Sequence, residues 1–128
     1  MHSFVHNRVV LVGDAAHGML PHLGAGAGQG IEDVFTLTQL LTHPQTNKSN
    51  IDRVLHYYNT MRPPRANSVM EGSNRAGEIY DNYYQGKLNA SMVAERLKGQ
   101  WETVWYYDLQ EEVESAFRSL YDEGVFKA

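Results

Sequence analysis

The stretch Val9-Val10-Leu11-Val12 is continuous, apolar and largely β-branched, and it closes on Gly13-Asp14. That is the pattern of a strand buried on both faces, as in parallel sheets, not the alternation of a half-solvated strand. Such a strand needs a neighbour along each edge, because a backbone group orphaned in a dry interior costs about 1–3 kcal/mol. Phe4-Val5 reads as an extension of the strand or a short stub, and nothing after Gly13 reads as a second strand. The remaining sheet is therefore expected elsewhere. Either the chain is a fragment of a larger domain, or it is a free-standing truncated product whose strand packs on helices or on a second copy.

Beyond the strand the periodicity becomes helical. A flexible turn, Gly24-Ala25-Gly26-Ala27-Gly28-Gln29-Gly30, leads into Ile31, Val34, Phe35, Thr38 and Leu41, the apolar stripe of a first helix. After the polar break from Gln45 to Asn50, Ile51, Val54, Leu55, Tyr58 and Met61 mark a second helix, capped by Asn50 or Ser49 and interrupted by Pro63-Pro64. A third runs from Pro64 towards Tyr80, with Val69, Ala76, Ile79 and Tyr83 on one side. Asn82 to Asn89 reads as a loop, and Val93, Leu97, Trp101, Val104 and Trp105 form the stripe of a fourth helix. Asp108 with Glu111 makes a capping box for the fifth, which buries Leu109, Val113, Ala116, Phe117, Leu120 and Tyr121 and stops at Gly124. As an isolated chain the expected fold class is mainly α, with about five helices and one buried strand.

At 128 residues there is room for one small domain and not for two complete nucleotide-binding domains. The hydrophobic fraction of 42% and charged fraction of 20% set the chain apart from disordered compositions. A net charge of −4 without a Lys/Arg cluster argues against nucleic acid and anionic membrane as partners. The absence of cysteine excludes disulfides and thiolate metal sites and is compatible with a reducing compartment. No apolar run is long enough to span a bilayer and no leader pattern opens the chain, so a soluble, cytoplasmic protein is expected.

The glycine-rich turn fits no phosphate-cradling motif. No register among Gly24, Gly26, Gly28 and Gly30 satisfies G-x-G-x-x-G, and no Gly-Lys-Ser/Thr follows. What remains is backbone free of Cβ atoms at the start of a helix, where unpaired N–H groups and the positive dipole end can face a flat ligand carrying negative charge.

Arg8-Val9-Val10-Leu11-Val12-Gly13-Asp14-Ala15-Ala16-His17, then Pro21-His22, then Gly24-Ala25-Gly26-Ala27-Gly28-Gln29-Gly30-Ile31-Glu32-Asp33 resemble the second FAD fingerprint of class A flavoprotein monooxygenases, in particular the salicylate hydroxylase-like branch. More loosely, Tyr58-x-x-x-Arg62-x-x-Arg65 and the stretch from Trp101 to Glu112 resemble that family's closing helices. The resemblance implies that the chain is the C-terminal segment of an α/β FAD-binding, Rossmann-like monooxygenase. Residues 1–45 would carry the strand, the Gly-Asp loop and the Gly-rich helix of the FAD-binding domain, and 46–128 a helical region packed on it. It implies FAD as cofactor, NAD(P)H as electron donor and a small aromatic substrate to be hydroxylated with oxygen. Gly13 would belong to the cofactor site, and Asp14 would accept hydrogen bonds from the ribitol hydroxyls of FAD. Ala15 and Ala16 would leave room for the cofactor chain, and Pro21 would lie over the isoalloxazine. The amides of Gly24, Ala25, Gly26, Ala27 and Gly28 would face the N1–C2=O side of the ring and stabilise the negative charge of reduced flavin.

The family's G-x-G-x-x-G half, its middle Asp-Gly motif and the sheet bearing most of the substrate pocket have no counterpart in these residues. The segment alone is therefore expected to be incomplete and inactive, with the N-terminal FAD- and substrate-binding portion as its missing partner. The alternative is a truncated, noncatalytic helical remnant that acts only through protein contacts. No metal site is expected, since Asp14, His17 and His22 lack helical spacing and a further ligand. His17 is read as organising the loop through a hydrogen bond, Arg62 and Arg65 as pinning the helices to the sheet or to one another, and Trp101, Trp105, Tyr106 and Tyr107 as core and interface packing.

Overall fold

A computed structural model describes residues 1–127. Strand β1 (Val5–His6) and strand β2 (Val9–Val10) form an antiparallel hairpin in the register Val5 with Val10 and His6 with Val9, turning at Asn7 with φ 54°. Helix α1 (Asp14–His17), a 3₁₀ turn (Pro21–Leu23) and helix α2 (Gly26–Thr42) follow. Next come the long helix α3 (Ile51–Tyr84), then α4 (Ala90–Leu97), α5 (Glu102–Trp105) and α6 (Leu109–Asp122). The chain is mainly helical, as expected. No helix is long and apolar enough to cross a membrane among the described residues.

The strand differs from its expectation. Its partner precedes it, and it stops at Val10 instead of running to Gly13. Nor is it doubly buried: Val9 is 65% exposed and Val12 39%. Side chains of α3 supply the backbone partners that a sheet would otherwise give. Asn59 Oδ1 accepts from the amides of Phe4 (2.7 Å) and Val5 (3.1 Å), and the Tyr58 hydroxyl donates to the Leu11 carbonyl at 2.9 Å. One edge and one face of the hairpin are thus satisfied within the chain, which is why a two-residue strand pair persists at all.

Two helix boundaries also move. The helix expected to stop at Pro63-Pro64 runs through both prolines as part of α3 and ends at Tyr84, not Tyr80. A proline in a helix interior costs about 3 kcal/mol. Burial of Val54, Tyr58, Met61, Ala66 and Val69 on either side of the prolines, with the Arg62 and Arg65 contacts described below, outweighs that local cost. Conversely, the single helix expected from Val93 to Trp105 is split into α4 and α5 by Gly99 at φ 81°. Among the described residues six α-helices therefore replace about five, two of them, α1 and α5, only four residues long. For α6, Asp108 accepts from the Glu111 amide at 2.9 Å and Gly124 stops the helix at φ 69°. Asn50 stands at the cap position of α3 without a side-chain capping bond.

The main core lies between α2, α3 and α6 and contains Phe4, Ala16, Leu40, Val54, Tyr58, Ala66, Leu120 and Phe126. A second cluster, Leu23, Ala25, Val69 and Ala76, is flanked by Trp101 and Val104. Of the residues expected in core and interface packing, Trp105 and Tyr106 are exposed and do not belong to the core. The orientation of α2 is also the reverse of what its composition suggests. Gln29, Asp33, Thr36 and Leu40 are fully buried, while Ile31 (71% exposed), Val34 (58%), Phe35 and Leu41 face outward. The polar face is drawn in by the arginines of α3, and the apolar stripe is left without a cover.

Candidate flavin-facing corner

The chain leaves β2 through Gly13, which has φ 60° and ψ −143°, a conformation costly for any residue with a Cβ. This sharp change of direction places Asp14 at the first position of α1, exposed and without a side-chain hydrogen bond among the described residues. Ala15 is exposed beside it, while Ala16 and His17 turn into the core. Pro21 opens the 3₁₀ turn and is exposed, and Gly24 closes it at φ 65°. Ala25 occupies the N-cap of α2 with its methyl group buried in the Leu23 cluster, so only its backbone is left to face a ligand. Gly26 is half-buried, and a Cβ there would lie 3.6 Å from Met19 Cγ, an ordinary contact. Ala27 and Gly28 are exposed, and a Cβ on Gly28 would project into open space.

The second turn of α2 packs against Gly13, with Gly30 so placed that a Cβ would stand 3.7 Å from the Gly13 Cα. Helices α1 and α2 are in contact at this corner. The amides of Gly26, Ala27 and Gly28 have no acceptor among the described residues, and no side chain caps the helix. The unpaired carboxylate sits on α1 and the three free N–H donors open α2, which contacts α1, with no Cβ at Gly24, Gly26 or Gly28 to obstruct an approach. That donor and acceptor set fits a polyhydroxylated chain attached to a flat ring with anionic character. An open cleft of about 680 Å³ between α3 and the α5–α6 corner is lined by none of these residues.

Behind the corner lies a buried ionic network. His17 Nε2 donates to Asp33 Oδ2 at 2.5 Å, and the Gly13 amide donates to the same oxygen at 2.8 Å. Arg62 Nε donates to Asp33 Oδ1 at 2.7 Å, and its other nitrogens reach Glu32 (2.7 Å), the Gln29 carbonyl (3.1 Å) and Gln29 Oε1 (3.0 Å). Arg65 grips both oxygens of Glu32 at 3.0 and 3.1 Å, donates to the carbonyls of Thr103 and Val104, and stacks 3.9 Å over the Tyr107 ring. Burial acts to raise the Glu32 pKa, but the hydrogen bonds and charges of Arg65 and Arg62 outweigh it and hold the carboxyl below its ordinary range. Burial, reinforced by the Asp33 charge, pushes the Tyr58 hydroxyl well above its usual pKa. His17 thus organises the loop, as its reading supposed, and Arg62 and Arg65 pin helix to helix.

Three contacts that the sequence reading missed seat the Pro21 turn, two of them on α3 and one on the N-cap residue of α5. Ser73 Oγ donates to the Leu20 carbonyl at 2.5 Å, Trp101 Nε1 donates to the Leu23 carbonyl at 3.3 Å, and the His22 ring lies over Gly77. The only signal in the sequence was the run of small residues Gly72-Ser73 and Ala76-Gly77, which reads as helix weakening and not as a seat. Asp33, quoted above only as part of a motif, proves to be the hub of the network.

Among solved structures, the chain superposes on a salicylate hydroxylase determined as a substrate complex, with a TM-score of 0.77, 39% identity and 89% of this chain covered against 28% of the other. It is 42% identical over 116 residues to a salicylate hydroxylase of Pseudomonas putida and 36% identical over 118 residues to hispidin-3-hydroxylase of Neonothopanus nambi. These alignments cover 89% and 92% of this chain and 26% of each relative, so the chain spans about a quarter of their length. The model of the FAD binding domain matches residues 1–73, which include the whole Gly13–Gly28 corner and Arg62, and the chain belongs to that family.

Proposed function

We propose that this chain is the flavin-contacting part of an FAD-dependent monooxygenase that hydroxylates a small aromatic compound with NAD(P)H and oxygen, completed by a portion carrying the ADP half of the FAD site, the rest of the sheet and most of the substrate pocket. The observation that carries the reading is the exposed, unpaired Asp14 carboxylate on α1 together with the free amides of Gly26, Ala27 and Gly28 at the start of α2, the helix that α1 contacts. Bound FAD supplies the redox chemistry. Asp14 accepts hydrogen bonds from its ribitol hydroxyls, and Gly13 and Ala15 keep side-chain bulk away from that chain. Pro21 covers one face of the ring. The backbone from Gly24 to Gly28 would face the N1–C2=O edge of the ring and favour negative charge there through preorganised N–H donors and the helix dipole. Residues 1–45 form the contact layer, and 46–128 hold it in place.

The uncovered apolar stripe of α2 and the open edge of β2 support a complementary sheet supplied by the remaining portion. The test is a flavin fluorescence titration of the chain alone and together with the complementing portion of a salicylate hydroxylase. Weak or absent binding alone and tight binding in the complex are expected. A complex that assembles and hydroxylates normally but keeps full flavin content when Asp14→Ala and Gly28→Leu are introduced would overturn the site assignment.

A further inference from the structure

We infer that Asp33 is the positioning residue of the Gly13-Asp14 corner, gripping α1 at both ends so that the Asp14 carboxylate is held outward. A four-residue helix has no stability of its own, so the placement of α1 must be imposed from outside. The Asp33 carboxylate imposes it. One oxygen, Oδ2, accepts from the Gly13 amide just before the helix and from His17 Nε2 at its last residue, at 2.8 and 2.5 Å. The Gly13 bond fixes the plane of the peptide entering a left-handed glycine, the point at which the chain direction is set. The other oxygen, Oδ1, accepts from Arg62 Nε at 2.7 Å. The side chains of Asp33, His17 and Arg62 have no solvent exposure, so no water can take over these bonds. Among the described residues His17 Nδ1 is buried without a partner, so the contact with Asp33 is the polar interaction that holds the imidazole there.

The architecture separates this role from general stability. Arg62 still reaches Glu32 and Gln29 without Asp33, and Arg65 independently grips Glu32, so α2 and α3 remain cross-linked when Asp33 changes. Asn in place of Asp keeps the shape but has one acceptor oxygen for three donors drawn from three elements. The consequence for cofactor affinity rests on the FAD reading above; the positioning itself does not.

The experiment is amide hydrogen exchange by NMR on the full chain without flavin. In the wild type the Gly13 amide is expected to exchange roughly tenfold or more slowly than that of Asp14. In Asp33→Asn the Gly13 protection should vanish and the Asp14 resonances should move, while amides in the middle of α2 and α3 stay protected. His17→Gln, which frees only the far end of the grip, should shift Asp14 and leave the Gly13 protection in place. A Gly13 amide unprotected in the wild type, or Gly13 and Asp14 resonances unmoved in a folded Asp33→Asn, overturns the inference, since a purely structural Asp33 would lower the melting temperature without moving them. If Asp33→Asn does not fold, the wild-type exchange rate and His17→Gln decide. Because no flavin is present, failure here counts against the positioning role and leaves the FAD reading to its own titration.

Discussion

Gly77 sits in the middle of α3 beneath the His22 ring, and replacing it by alanine sets two effects of opposite sign against each other. A Cβ at this position would lie 2.5 Å from His22 Cδ2 and 2.6 Å from Nε2, closer than real Cβ contacts allow, so the ring must move. Alanine in a helix interior is favoured over glycine by about 0.8–1 kcal/mol. Forcing an extra methyl group into a packed site costs about 1–3 kcal/mol. The net expectation for Gly77→Ala is therefore a loss of about 0–2 kcal/mol, the remainder of those two ranges. In a His22→Ala background the obstruction is gone and only the propensity gain is left, so Gly77→Ala should become stabilising by about 1 kcal/mol, or roughly 3–5 °C for a chain of this size. Urea unfolding followed by far-UV circular dichroism on the four members of the cycle measures the coupling directly, with an expected interaction of about 1–3 kcal/mol. An identical effect of Gly77→Ala in both backgrounds would refute the argument, because it would mean that His22 does not rest on this glycine and does not seat the Pro21 turn.

Arg62→Met removes the buried cation that faces Asp33 and Glu32 and should cost about 3–5 kcal/mol, read as an early urea midpoint or failure to fold. Asp14→Ala should leave the unfolding free energy of the isolated chain within about 0.5 kcal/mol, because the carboxylate is exposed and unpaired. In a complemented enzyme it should weaken FAD binding by about 1.5–3 kcal/mol, seen by equilibrium titration. Gly28→Ala is predicted to stabilise the chain by up to about 1 kcal/mol, since its Cβ would meet nothing, and to lower flavin content in the complex. For pH, the Glu32 carboxyl lies below its ordinary value of 4.5 when folded, so its contribution is complete above that value and is lost as pH falls through the folded pKa. The melting temperature should drop on acidification below about 4.5, and Glu32→Gln should flatten that part of the profile.

Some features of the molecule were written into local sequence. The periodicity of Val113, Ala116 and Leu120, the Asp108 cap and the Gly124 stop specified α6, because the signals that begin, orient and end a helix all lie within a few residues of it. The Gly13-Asp14 corner and the Gly24 turn before α2 were legible for the same reason, since a left-handed φ demands glycine locally whatever surrounds it. Other features required the tertiary structure. Pro63-Pro64 argued locally for a break, and only burial along both halves of α3 overrode it. The stripe from Ile31 to Leu41 announced a helix correctly but not which face turns inward. That was decided by Arg62 and Arg65, about thirty residues away in the chain, whose guanidinium groups needed buried carboxylates and drew Asp33 and Glu32 to them, because a charge taken out of water must be paired. The role of Asp33 was hidden for the same reason: its three partners come from the Gly13 loop, α1 and α3, and no spacing along the sequence records a meeting that exists only once those elements have packed together.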